Sequence, residues 1–322
     1  MKPGNPQYIV NSPEDNALTY WANGELVAIP TETVYGLAAD ATRDDAVAKI
    51  YALKNRPSFN PLIAHVSDAA MAARYVQWNE AADILAHAFW PGPITLVLPL
   101  LSQAPISALA TDGGDTLGVR CPNHGVTLTL IRAFGKPLVA PSANRSGRIS
   151  PTTAQHVRDE FADAVPVIDG GACTVGIEST VLDLTTGTPV LLRPGAITKA
   201  MIEAVLGQAV QLPAESPMQD ARLKSPGMLT RHYAPTTPVR LDATQVHAGE
   251  ALLAFGMDVP DGAHHVFNLS THGDLVEAAS RLFEGLRTLD ACGATRIAVM
   301  PLPTEGIGAA IADRLQRASA AE

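Results

Sequence analysis

The sequence predicts an α/β fold in two unequal parts, on three observations. Short apolar runs of strand length alternate with segments of helical periodicity over the first 212 or so residues. That alternation stops between 213 and 238 and resumes from Val239. The composition is 47% hydrophobic, 17% charged and 5% aromatic, with 25 Gly and 25 Pro in 322 residues. Such a balance suits many short elements joined by tight turns better than a helical bundle, and it argues against disorder.

Asn11 or Ser12 is placed to cap a first helix, with Pro13 in its first turn and an end near Gly24. Leu26 to Pro30 reads as a short buried strand, Asp44 to Leu53 as an amphipathic helix, Leu62 to Val66 as a strand and Glu80 to Phe89 as a helix. No Asp, Glu, Lys or Arg occurs between Asp83 and Asp112. A membrane helix needs about 20 continuous apolar residues. Pro91, Pro93, Pro99 and Pro105 interrupt this run, which reads instead as helix, WPGP turn, buried strand (Ile94 to Leu98) and loop. Further strands are expected at Leu117 to Arg120, Leu138 to Ala140, Ser179 to Leu184 and Val190 to Arg193, with a closing helix at Thr198 to Leu206.

Residues 213–238 are polar, proline-rich and without period, the character of a linker or functional loop. After them come a strand at Ala251 to Phe255 and a helix at Asp274 to Leu289. Leu275, Ala279, Leu282, Leu286 and Leu289 share one face of that helix. A strand at Ile297 to Met300 and a helix at Gly308 to Arg317 follow. The expected organisation is a catalytic domain at 1–212, a linker or lid at 213–238 and a small α/β domain at 239–322.

Cys121, Cys173 and Cys292 are odd in number, widely spaced and in no CxxC pair. That speaks against a disulfide framework or a zinc site, and for a reducing compartment. The N-terminal MKPGNPQYIV has no apolar h-region, so a cytoplasmic location is expected. The net charge of −9 does not suggest a tight, direct grip on nucleic acid. Two windows nevertheless lack carboxylates: Ala46 to Ser67, with Lys49, Lys54, Arg56 and His65, and Thr116 to Arg158, with Arg120, Arg132, Lys136, Arg145, Arg148 and Arg158. Omitting acids where bases gather makes a positive field for a small polyanion; chance clustering is the alternative.

The usual nucleotide and hydrolase motifs are absent: no GxxxxGK[ST], no GxGxxG after a strand, no HExxH, no GxSxG. Polar clusters follow the expected strands instead, where α/β sheets bind ligands. Pro30 to Leu37 (PTETVYGL) offers hydroxyls and a turn, or merely a helix cap. Lys54-Asn55-Arg56-Pro57 places two cations at a helix end, apt for phosphates or only for the helix dipole. Arg56 reads as a solvent-accessible loop residue. Pro141 to Gly147 (PSANRSG) suits a phosphate or ribose, or an Asx-type turn. Gly176 to Thr180 (GIEST) leads into a strand, and Arg193-Pro194-Gly195 ends the next. A buried strand ending in Arg must pair that charge or present it to a ligand.

Together PTETVYGL, the KxR of Lys54 and Arg56, the SxN of Ser142 and Asn144, and GIESTVLDL…LLRPGAI resemble the YrdC-like domain. SPGMLTRHYAP in the linker resembles the signature of the two-domain branch of the threonylcarbamoyl-AMP synthases. The resemblance implies a twisted open sheet with helices and a basic cavity, plus a smaller Rossmann-like α/β C-terminal domain. It implies that Thr33, His65, Arg120, Ala140 and Ser179 line a threonine pocket. Arg56, Asn60, Thr116, Ser142, Asn144, Ser150, Arg193 and Tyr233 would contact ATP. Lys54 and Arg56 would serve catalysis facing the phosphates. Mg2+ would be bound through ATP phosphates, with no protein metal ligands. The implied activity joins L-threonine, bicarbonate and ATP into an adenylate that passes to a tRNA threonylcarbamoyl transferase. Three other readings remain at this stage: an RNA-binding module, a carbamoyl transferase of hydrogenase maturation, and simple nucleotide hydrolysis.

Overall fold

A computed structural model describes residues 13–56, 60–213 and 232–320. The Asn11/Ser12 cap and most of the 213–238 segment lie outside the described residues. The N-terminal part comprises α1 (Pro13–Ala22), β1 (Val27–Ile29), β2 (Gly36–Asp40), α2 (Asp44–Lys54), β3 (Ile63–His65), α3 (Ala69–Ala72), α4 (Glu80–Phe89) and β4 (Ile94–Pro99). It continues through β5 (Thr116–Arg120), α5 (Gly125–Phe134), β6 (Leu138–Val139), α6 (Ala154–Phe161), β7 (Thr180–Asp183), β8 (Val190–Arg193) and α7 (Lys199–Leu206). Its strands form a mixed sheet in the order β1-β2-β6-β3-β5-β4-β7-β8. The second part holds β9 (Val239–Arg240), β10 (Glu250–Ala254), β11 (Val266–Asn268), α8 (Leu275–Asp290), β12 (Arg296–Val299) and α9 (Gly308–Ser319). Its sheet, β11-β10-β12-β9, is parallel throughout. No helix among the described residues is long and apolar enough to cross a membrane.

Alternation along the strands splits the first core in two. On β1 and β2, Val27, Ile29 and Ala38 join a cluster with Trp21, Leu85, Leu96 and Ile131. Ala28, Leu37 and Ala39 face the other way, into Tyr35, Ile50, Val139 and Phe161. Helices begin where side chains satisfy the first free amides: Asn79 accepts from Ala82 N, Thr153 from His156 N, Thr198 from Met201 N and Asp274 from Val276 N. Helix α2 ends differently. Asn55 turns into the left-handed region at φ 51°, and Arg56 N returns to the Tyr51 carbonyl at 3.0 Å. That turn points the Arg56 side chain inward rather than into solvent.

The elements β2, α3, α5, α6, β9 and β11 go beyond what the sequence predicts. Helix α5 is GVTLTLIRAF, whose β-branched alternation favours a strand by propensity. It folds as a helix because Leu128, Leu130 and Ile131 then pack together on the first core.

The third core crosses the boundary between the two parts. Phe283, Ala279, Leu282 and Leu286 of α8 pack in one cluster with Val34, Ile149, Ile177 and Tyr233. Contact is close enough that Gly176, at φ +74°, admits no side chain: a Cβ there would stand 2.4 Å from the Ser280 backbone.

Candidate active site

One end of the large sheet carries a cavity. The parallel pairing of β3 with β5 sets His65 beside Arg120 at their C-terminal ends. Ala140 to Ser142 follow β6, which runs antiparallel to β3 and sets Ala140 beside Ile63, while Ser179 before β7 and Arg193 at the end of β8 come in from the far side. Of the residues expected from the sequence, the cavity wall contains Thr33, Arg56, His65, Arg120, Ala140, Ser142, Ser179, Arg193 and Tyr233. Thr31, Val34, Glu178 and His232 line it as well.

Each wall residue is fixed from behind. The Thr31 hydroxyl donates to the Val34 carbonyl at 2.7 Å and accepts from the amides of Thr33 and Val34, folding the PTETV turn. The Thr33 hydroxyl lies 2.8 Å from that of Thr31. Arg120 pairs with Glu32 at 2.8 Å, both side chains being 5% exposed. Arg193 donates to the Ser179 carbonyl through Nε (3.0 Å) and Nη2 (2.9 Å) and to the Ser179 hydroxyl at 3.1 Å. Thr95 and Ser179 share a hydroxyl contact of 2.7 Å.

Arg56 is buried at 8% exposure, contrary to the solvent-accessible loop position expected for it. Its Nε donates to Asn60 O at 3.2 Å and its Nη2 to Pro61 O at 3.1 Å. Burial, with Arg193 nearby, pulls its pKa down to about 10. The Asn60 side-chain amide is itself buried without a hydrogen-bond partner among the described residues.

Five expected residues stand off the wall, the buried Asn60 among them. Lys54, 1% exposed, donates its ammonium protons to the carbonyls of Ser142 (2.5 Å) and Asn144, clamping the PSAN loop from behind. Burial and then Arg56 hold its pKa well below the usual lysine range. Asn144 braces the same loop by donating to the carbonyls of Arg145 (2.9 Å) and Arg148 (2.8 Å). Ser150 donates to Glu178 at 2.5 Å. Thr116 sits at the opposite end of β5, about 13 Å along the strand from Arg120.

Three residues escaped the sequence argument. Glu178, inside the GIEST cluster, is ionised. Burial works to raise its pKa, but Arg314, Arg193 and the Ser150 hydroxyl offset this and hold it below the usual carboxylate range. His232 rests on the Tyr233 ring at 4.1 Å. Glu32 was visible only as a letter inside PTETVYGL. The ring of Tyr233 stacks on Phe283 at 5.4 Å, and its hydroxyl has no partner among the described residues. Burial, then Glu178, pushes that hydroxyl's pKa up to about 12. Burial pushes both imidazoles down to about 3, aided by Arg120 at His65 and by Arg56, Lys54 and Arg193 at His232. Both rings are therefore neutral at pH 7.

The acid-free windows are only partly gathered here. Arg56, His65 and Arg120 reach the cavity, while Lys136 pairs with Asp40, and Arg158 with Asp169. With Glu32 and Glu178 engaged by Arg120 and Arg314, the guanidinium groups of Arg56 and Arg193 leave a positive interior. Among the described residues no three His, Cys, Asp or Glu side chains gather as a metal cage.

Comparison with known proteins covers both parts of the chain. A family model described as telomere recombination matches residues 19–195, and a model for the C-terminal domain of threonylcarbamoyl-AMP synthase matches 197–320. The threonylcarbamoyl-AMP synthase of Pyrococcus abyssi is 40% identical over 310 residues, covering 92% of this chain and 91% of its own. That of Bacillus subtilis is 39% identical over 314 residues, covering 92% and 89%. The crystal structure of P. abyssi Sua5 complexed with L-threonine matches with a TM-score of 0.87 at 37% identity, covering 95% of this chain and 94% of that one.

Proposed function

The chain belongs to the threonylcarbamoyl-AMP synthase family, and we infer that its cavity joins L-threonine, bicarbonate and ATP into L-threonylcarbamoyladenylate and pyrophosphate. The observation that carries this is the pairing of two chemistries in one cavity. An amino-acid end has Arg120, neutral His65 and the Thr33 and Ser179 hydroxyls; a phosphate end has Arg56 and Arg193. On this reading the catalytic domain spans 1–212, joined by 213–238 to the smaller domain at 239–322.

At the amino-acid end, Arg120 takes the threonine carboxylate, and the hydroxyls with the Ala140 carbonyl orient the amine. The P. abyssi relative was solved with L-threonine, which supports threonine as a substrate. The neutral state of His65 adds a hydrogen-bonding group without a second charge. Threonine's neutral amine takes up bicarbonate with loss of water, or carbon dioxide with loss of a proton, to give a carbamate. A carbamate oxygen then attacks the α-phosphorus of ATP, and pyrophosphate leaves. Arg56, Arg193, Ser142 and the Tyr233 hydroxyl meet the triphosphate, with the unpartnered Asn60 amide adjoining them. Lys54, Asn144 and Ser150 act from behind by holding loops and Glu178 in place.

Positioning and charge neutralisation dominate such a reaction, and the carbamate survives only where water is kept out. A wall of buried side chains meets both needs. Magnesium would arrive on ATP phosphate oxygens. The guanidinium groups point inward and are buried, which disfavours an RNA-binding surface. We place the enzyme in the cytoplasm, passing its product to a transferase that modifies tRNA. Mass spectrometry of the product from ATP, threonine and labelled bicarbonate tests the reading. Pyrophosphate release should require all three; equal phosphate release without threonine would replace it with simple hydrolysis.

A further inference from the structure

Helix α9 of the second domain places a charge where its pattern calls for an apolar residue. Ala310, Ile311, Leu315 and Ala318 of that face are buried in the third core, and Arg314 sits among them at 0% exposure. A buried guanidinium costs several kcal/mol unless it is paired and hydrogen-bonded. Arg314 meets that demand chiefly across the domain boundary. Its Nε donates to Glu178 Oε2 at 3.0 Å and its Nη2 to the Glu178 carbonyl at 3.4 Å. Its guanidinium lies 5.4 Å from the centre of the Tyr233 ring. Nη1 is held by Asp313 at 2.7 Å, and Asp313 is steadied by Arg317 at 2.9 Å.

Glu178 and Tyr233 both line the cavity. A bridge serving only to join two domains has no need to end on the wall of the site. A carboxylate at the phosphate end is also a liability, because it repels a polyanion and competes for Arg193. With Arg314 in place, the other Glu178 oxygen accepts from Ser150, and Arg193 remains on Ser179.

We propose that Arg314 is a positioning residue for the ATP end of the site: by occupying Glu178 and fixing the Tyr233 ring, it keeps that carboxylate from repelling the phosphates. The C-terminal domain thereby contributes to the active site. The proposal rests on the reading that ATP binds between Arg56, Arg193 and Tyr233.

Two readouts are needed: calorimetric titration of the full-length protein with magnesium ATP, and the KM values for ATP and threonine in pyrophosphate release. Arg314→Met should weaken ATP at least tenfold while the threonine KM moves less than threefold. Adding Glu178→Gln to Arg314→Met removes the freed charge and should recover at least half of that loss on a logarithmic scale. A purely structural bridge predicts a lower urea midpoint for Arg314→Met with the ATP affinity of the folded protein unchanged. Arg314→Lys keeps the charge but loses the fork, and serves where the methionine variant does not fold; it should weaken ATP three- to tenfold. Wild-type ATP affinity in folded Arg314→Met or Arg314→Lys, or no recovery in the double variant, overturns the proposal. Failure of the wild-type protein to form the adenylate sinks the proposed function instead, and the ATP titrations still decide the role of Arg314.

Discussion

The ammonium of Lys54 donates to the main-chain carbonyl of Ser142 at 2.5 Å, 88 residues along the chain, and so ties the end of α2 to the loop after β6. Lys54→Met keeps the length of the side chain but leaves two carbonyls without their donor. Unsatisfied buried groups cost about 1–3 kcal/mol each. We expect the urea midpoint and the turnover to fall together. A variant with normal unfolding and lost turnover would instead make Lys54 a direct phosphate ligand.

On the proposed function, Arg56→Ala would remove phosphate contacts worth about 1.5–3 kcal/mol, so kcat/KM should fall roughly ten- to 150-fold. Because Arg56 is buried on the carbonyls of Asn60 and Pro61, a lowered melting temperature should accompany that loss. Normal activity in the folded variant would mean that the arginine serves only the loop.

Glu32→Gln leaves the Arg120 guanidinium buried beside a neutral partner. The guanidinium is then less firmly aimed, and the threonine KM should rise about tenfold, roughly 1.4 kcal/mol, with the ATP KM nearly unchanged. Steady-state kinetics in each substrate separates these outcomes. An equal effect on both KM values would point to general loosening of the fold.

Acid should destabilise the protein through its buried imidazoles. His65 and His232 have folded pKa values of about 3, below the unfolded value of 6.5. Between pH 6.5 and 3 the unfolded chain binds the extra protons, so stability falls as the pH falls. The slope is about 1.4 kcal/mol per pH unit for each group. Urea unfolding at several pH values should show a shallower slope for His232→Gln than for the wild type. Parallel slopes would mean that His232 titrates normally.

Much of the cavity wall was legible because its residues sit in dense local motifs at strand ends: Thr33, Ser142 and Arg193 follow or end a strand that the apolar pattern marks, and Ser179 opens one. What the pattern hid was depth. Lys54 and Arg56 are two residues apart at one helix end, yet the left-handed turn at Asn55 sends one to the back of a loop and the other to the wall. Glu178 and Arg314 were invisible as a pair, since a charged letter on a helix reads as solvent-facing until its partner is known. Strand β2 was missed because Gly36-Leu37-Ala38-Ala39-Asp40 has no β-branched residue, and its pairing with β1 supplies what propensity does not.

The 136 positions between Glu178 and Arg314 also set an order of assembly. At about 5–20 residues per second on the ribosome, the carboxylate emerges on the order of ten seconds before its guanidinium. Until α8 has been made, Val34, Ile149 and Ile177 have no helix to cover them. The nascent chain therefore carries an apolar face until α8 is complete, and a carboxylate without its guanidinium until α9 follows. Ribosome-bound intermediates halted before α8 should draw chaperones to that face.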